Sequence, residues 1–173
     1  MDSADESLDV LIIQPNIDPY NKFQAMTQAQ QNEILISTAQ EQLEYRKNDS
    51  TAAPLLILAP ETFTPDVIAN DIRSGKSWRR FVSFLQDYPN VNMLFGASSR
   101  TIIESEQAPS HTARHIKDDL WVESHNSALM IDGSTRTDIF HKSRLVVAVE
   151  KTPYPAIVCR IDDLLGGVMG RCV

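Results

Sequence analysis

Two short apolar runs, LDVLII at 8–13 and LLILA at 55–59, most constrain what this chain can fold into. Each has the length and composition of a buried strand. Pro15 stops the first because it cannot donate to a ladder, and Pro54 and Pro60 bound the second. Between them, the stretch from Lys22 to Lys47 contains no Pro or Gly and is rich in Gln, Ala and Glu. Phe23, Met26, Ile36, Ala39 and Leu43 fall on one helical face there, so the spacing predicts a long amphipathic helix ending around Asn48–Ser50. Strand, helix and strand in this order predict a βαβ unit with parallel neighbours.

The next segment, 61–74, reads as a loop with at most one helical turn. Residues 77–88, SWRRFVSFLQDY, predict a helix with Trp78, Phe81, Phe84 and Leu85 on one face. VNMLFGA at 91–97 predicts a third strand. Residues 101–119 are polar and read as a surface excursion, and 126–141 read as a hairpin turning at Asp132-Gly133. Residues 143–173 show few periodic features and end in LLGGVMGRCV. The residues alone support an α/β fold with a mixed sheet.

A chain of 173 residues is about one domain by length. Lys plus Arg number 16 and Asp plus Glu 23, a formal charge of −7, which argues against a nucleic-acid binder with its basic patch. Arg79 and Arg80 adjoin, but no longer basic run exists. No apolar stretch approaches the roughly 18 residues a membrane span needs. The opening MDSADESLDV carries acids where a signal peptide carries basic and apolar regions, and residues 1–7 read as a disordered segment. Cys159 and Cys172 are too few for a disulfide framework and match no zinc spacing.

Glu61 stands out because it follows a buried-type strand, in LLILAPET. Catalytic groups collect at such strand ends, and a carboxylate held there can serve as a general base. On position alone a surface acid is the commoner outcome. Lys142, in IFHKSRL, could stabilise an oxyanion, against the plainer reading of a solvated strand-end lysine. His141 beside it is more often packed or exposed than a base. Glu150, in VVAVEKTPYP, is either an inward polar group or a loop charge. GGVMGR at 166–171 lacks the flanking strand, helix and Lys-Ser/Thr of a phosphate loop. Ser98 and Ser99 read as strand-end polarity, and Cys172 as a structural thiol with no activating base adjacent.

The order of these motifs carries more than any one of them. QPNID follows the first strand, PET ends the second, and FGAS, SHNSALMIDG and FHKSRLVVAVEKTPYP come after. This order resembles the carbon–nitrogen hydrolase (nitrilase) superfamily, and within it the nitrilase-like domain of bacterial apolipoprotein N-acyltransferases. The resemblance covers about residues 8–173, with PET and HKSRL…VEK as its specific part. It implies an incomplete α-β-β-α sandwich, a partial domain over 8–173 that lacks the part holding the nucleophile. It implies Glu61 as general base, Lys142 as the support of the tetrahedral intermediate, and Glu150, eight residues further on, as the second glutamate that positions them.

The implied activity moves an acyl chain from phospholipid to the N-terminal amine of a lipoprotein cysteine through a Cys thioester, with no cofactor or metal. The implied partners are the phospholipid donor and the apolipoprotein acceptor. The implied location is the periplasmic side of the inner membrane, reached through other parts of a longer parent. VVAVE departs from the family's Pro- and Gly-containing loop, and neither Cys159 nor Cys172 lies in the family's nucleophile motif. The expectation is therefore a C-terminally truncated fragment, inactive alone. A soluble amidase of the same superfamily and a non-catalytic binding module are the alternatives. The apolar loops around Phe63 and Val146–Val149 are candidates to meet an acyl chain, against core packing.

Overall fold

The computed structural model describes residues 7–16, 26–46 and 53–143. Strands β1 (Asp9–Ile12) and β2 (Leu55–Leu58) pair in parallel, and helix α1 (Gln28–Arg46) crosses between them. The predicted βαβ unit is present. The helix begins later than the residue pattern suggests, because Thr27 and Gln30 form a capping box. The Gln30 amide donates to Thr27 Oγ1 at 3.3 Å, and the Thr27 amide donates to Gln30 Oε1 at 2.8 Å. Two orphan donors of the first turn are thus satisfied reciprocally. Phe23 lies outside the described residues. At the other end Arg46 reaches Asp9 of β1 at 2.7 Å, tying helix to sheet.

The rest of the chain extends this pair into a seven-stranded mixed sheet. Its centre is a long antiparallel pair, β4 (Val91–Glu104) and β6 (Leu120–Ile131). β2 and β3 (Thr64–Ile68) lie end to end along one edge of β4, both parallel to it. β5 (Arg114–Lys117) and β7 (Thr137–His141) lie end to end along the far edge of β6. A 3₁₀ turn (Ile72–Ser74) leads from β3 into helix α2 (Lys76–Leu85).

Several expectations are corrected here. The fold is not an α-β-β-α sandwich of the nitrilase type: it is one mixed sheet of seven strands with two α-helices among the described residues, and mostly β. The physical reason is the length of the central pair. β4 and β6 run for 14 and 12 residues, where the sequence pattern showed a short strand and a polar excursion. Within 101–119, residues 101–104 belong to the outer arm of that pair and 114–117 form β5, while 105–113 are the expected loop. The hairpin across Asp132-Gly133 forms, but its first strand starts at Leu120. The segment 61–74 holds β3, a strand its Pro and Asp had concealed.

Residues directly opposite one another on paired strands project from the same face. On one face Ile57, Met93, Phe95, Ala97, Leu129 and Ile131 are buried beneath α1 and α2. α1 contributes Leu35, Ile36, Ala39 and Leu43, and α2 contributes Trp78, Phe81, Phe84 and Leu85, the four residues its periodicity predicts. Asn32 Nδ2 joins the helices by donating to Ser77 Oγ at 3.0 Å. The Ser77 amide, in the first turn of α2, donates to Asp66 Oδ2 of β3 at 2.9 Å. Phe63 is 1% exposed and packs on Phe81, so it belongs to the core and not to an acyl-chain surface.

The opposite face is apolar and open. Val10, Ile12, Met130 and Phe140 are exposed there, Ile12 at 73% and Phe140 at 69%. Half-buried Leu56, Leu58 and Leu94 lie in register between them. No helix among the described residues is long and apolar enough to cross a membrane.

Candidate functional site

Glu61 is placed by an interruption in the ladder. Six steps from Leu58 to Thr64 oppose three from Leu94 to Ala97, so the chain between β2 and β3 must loop out from β4. Backbone bonds hold the loop from both sides. The Gly96 amide donates to the Pro60 carbonyl at 3.0 Å, and the Phe63 amide donates to the Gly96 carbonyl at 2.8 Å. Thr62 takes a φ of 51°, left-handed and unfavourable for a β-branched residue. The loop lies flat on Gly96, where a Cβ would come within 2.5 Å of the Thr62 nitrogen and 2.6 Å of Glu61 Cα. Local strain and a ladder interruption of this kind recur at functional sites.

Gly96 sits opposite Ala128, and Ala128 opposite Phe140. The Glu61 loop therefore rests on the open face, at one end of the apolar row. Two groups from distant parts of the chain converge on its carboxylate. Asn126 Nδ2 donates to Glu61 Oε1 at 2.8 Å, and Lys142 Nζ donates to the same oxygen at 3.3 Å. Lys142 is 81 residues from Glu61 in sequence. β7 delivers it: the Lys142 amide donates to the Asn126 carbonyl at 2.8 Å, continuing the β6–β7 ladder one step past His141.

The two side chains of this ion pair are 33% and 64% exposed. An exposed pair contributes about 0–1 kcal/mol to stability, so its interest is chemical. A carboxylate can accept a proton, and an ammonium 3.3 Å away can sit beside a developing oxyanion. Asn126 orients the carboxylate.

Behind the sheet a second polar cluster backs this one. Ser127 Oγ lies 2.6 Å from Ser99 Oγ and 2.7 Å from His141 Nδ1. The His141 ring stacks on His125 with centroids 4.3 Å apart, and His125 Nε2 is 3.1 Å from Thr101 Oγ1. Burial of the imidazole, and then the neighbouring His125, lower the pKa of His141 below its usual 6.5. Glu123, further along β6, is held below the usual carboxylate range by the Ser110 hydroxyl at 2.6 Å, with Thr112 and His125 adding smaller pulls.

The structure thus brings Glu61 and Lys142 together. Glu150, Cys159, Cys172 and Val146–Val149 lie outside the described residues. His141 is half-buried and not beside Glu61: strand alternation turns it to the helix-side face. Asn126 is the site residue that sequence reasoning passed over. Its signal was the alternation of β6, where buried Ser127, Leu129 and Ile131 put Asn126 and Ala128 on the opposite face. No group of three or more His, Cys, Asp or Glu able to hold a metal ion occurs among the described residues. Compared with known proteins, the chain matches no family model and no curated relative.

Proposed function

We propose that this chain carries the base and oxyanion-stabilising part of a phospholipid-dependent N-acyltransferase site. Glu61 removes the proton of the attacking group, and Lys142 stabilises the oxyanion of the tetrahedral intermediate. The observation that carries the reading is the convergence of Lys142 Nζ and Asn126 Nδ2 on Glu61 Oε1. It rests on the site and not on the fold, since folds host unrelated chemistries.

A long acyl chain, in preference to a small amide, is favoured by what surrounds the carboxylate. The exposed apolar row through Ala128 and Phe140 starts directly beneath Glu61 and offers a floor for alkyl groups. In the half-reaction assigned to this pair, an amine nitrogen attacks the carbonyl carbon of a thioester. Lys142 stabilises the oxyanion while Glu61 takes the proton released by nitrogen. Collapse expels the thiolate, which recovers a proton, and leaves an amide. Glu150 completes the set by positioning Lys142 and Glu61. The nucleophilic cysteine comes from outside the described residues. The donor sets the reaction at a membrane surface, and the periplasmic side of a bacterial inner membrane is the proposed location.

A soluble long-chain acyl thioester supplies the intermediate directly, so the test needs no cysteine. The full chain is mixed with that thioester and a peptide bearing a free N-terminal amine, and N-acylated peptide is followed by mass spectrometry. The reading predicts catalysis above background that falls about 100-fold or more in Lys142→Met and in Glu61→Gln, the scale of a lost oxyanion donor or base. It also predicts a preference over an acetyl thioester. Equal rates for wild type and both variants reject acyl transfer, and a preference for acetyl donors would move the reading to a small-substrate amidase.

A further inference from the structure

The hydrogen-bonded cluster on the helix-side face has no place in that chemistry, yet it lies directly behind it. We propose that His141, bonded to Ser127 and stacked on His125, is a positioning residue that holds Lys142 and Asn126 on Glu61. The inference rests on the functional reading above for its biological meaning, but not for its geometry.

Asn126 and Ser127 are consecutive on β6, and His141 and Lys142 are consecutive along β7 and its continuation, so each pair divides between the two faces. Ser127 and His141 are direct ladder partners, and the next ladder bond joins the Lys142 amide to the Asn126 carbonyl. One cross-strand rung therefore has its side chains on the helix side, and the following one presents Asn126 and Lys142 to Glu61.

β7 pairs only with β6 among the described strands, so its end is held by a single ladder. Strand ends held in this way fray. The Ser127 Oγ to His141 Nδ1 contact at 2.7 Å adds a side-chain tie at the last paired residue. Ser99 on β4 extends that tie to the strand carrying Gly96, on which the Glu61 loop is seated. Thus β4, β6 and β7, the three strands whose relative placement sets the Glu61–Asn126–Lys142 distances, are joined by one chain of side-chain bonds. His125 closes the cluster through its stack on His141 and its contact with Thr101.

The test reads the contact itself. In the ¹⁵N-labelled full chain, the Asn126 side-chain amide signal, assigned by its loss in Asn126→Asp, reports the bond to Glu61, and Glu61→Ala defines its position when that bond is absent. His141→Leu removes the ring nitrogen and keeps apolar bulk, so the signal is expected to move toward the Glu61→Ala position. His141→Asn keeps a polar atom near the place of Nδ1 and is expected to restore the wild-type position. An Asn126 signal unmoved in His141→Leu overturns the proposal, as does one displaced equally in both variants. Should His141→Leu not fold, Ser127→Ala deletes the same bond and carries the same test. Because these signals are read without substrate, a failed positioning role is distinguishable from a failed acyl-transfer reading, which the wild-type thioester assay decides.

Discussion

Replacing Gly96 with alanine tests how the Glu61 loop is held. Gly96 shows no left-handed φ, so alanine would gain about 0.5–1 kcal/mol there from the smaller entropy loss if space were open. It is not open. The new Cβ meets the Thr62 nitrogen at 2.5 Å and Glu61 Cα at 2.6 Å, both backbone atoms. Relief requires the loop to lift, which stretches the Gly96–Pro60 and Phe63–Gly96 backbone bonds. Overpacking costs about 1–3 kcal/mol and each weakened bond about 0.5–1.5 kcal/mol. After the propensity gain, the expected loss is about 1–5 kcal/mol. Urea unfolding followed by circular dichroism measures it, with Ser98→Ala, half-buried two residues on, as the control expected to change little. A Gly96→Ala protein as stable as wild type would refute the seating of the loop and with it the placement of Glu61.

Three further outcomes are expected. Phe81→Ala removes the ring that packs on both Phe63 and Phe95 and should cost about 3–5 kcal/mol in the same unfolding experiment; a loss under about 1 kcal/mol would mean that α2 does not lie on the sheet. Thr27→Ala breaks the capping box of α1 and should cost about 1 kcal/mol, whereas an unchanged midpoint would place the helix start elsewhere. The lowered pKa of His141 means that the unfolded chain binds this proton more readily than the fold does. Its contribution to stability is therefore fully present above about 6.5 and is lost as pH falls through the lower folded value. Comparing wild type with His141→Asn should show the wild type losing more stability on acidification from pH about 7 to about 5, and the reverse order would contradict the burial of the ring.

Much of the inner half of the fold is legible in the residues. LDVLII, LLILA and VNMLFGA announce strands, though the first is exposed at Val10 and Ile12 and not buried, and the spacing of Trp78, Phe81, Phe84 and Leu85 announces the face of α2. What the sequence hides are strands whose stability is pairing and not composition. TPDVI carries Pro and Asp, yet β3 forms because β4 offers it an edge. The outer arm of β4, SSRTIIE, has no polar–apolar alternation and forms because β6 pairs with it along its length. The sandwich expectation failed for the same reason: 101–104 and 114–117, given to an excursion, instead lengthen one sheet. Glu61 and Lys142 were legible as strand-end groups, but Asn126 was not, because nothing local says which distant carboxylate it meets 65 residues away. The apolar open face was equally hidden, since Val10, Ile12 and Phe140 read as ordinary strand residues until the helices are seen to cover the other side.

The central claim is that Glu61 and Lys142 act as one chemical unit. A double-substitution cycle on thioester aminolysis tests it most directly, using wild type, Glu61→Gln, Lys142→Met and the doubly substituted chain. Groups that work as a unit are strongly non-additive, so the account predicts that each single change slows the reaction about 100-fold or more and that the double change is little slower than the worse single one. Single variants that react at the wild-type rate, or losses that simply multiply in the double variant, would contradict it.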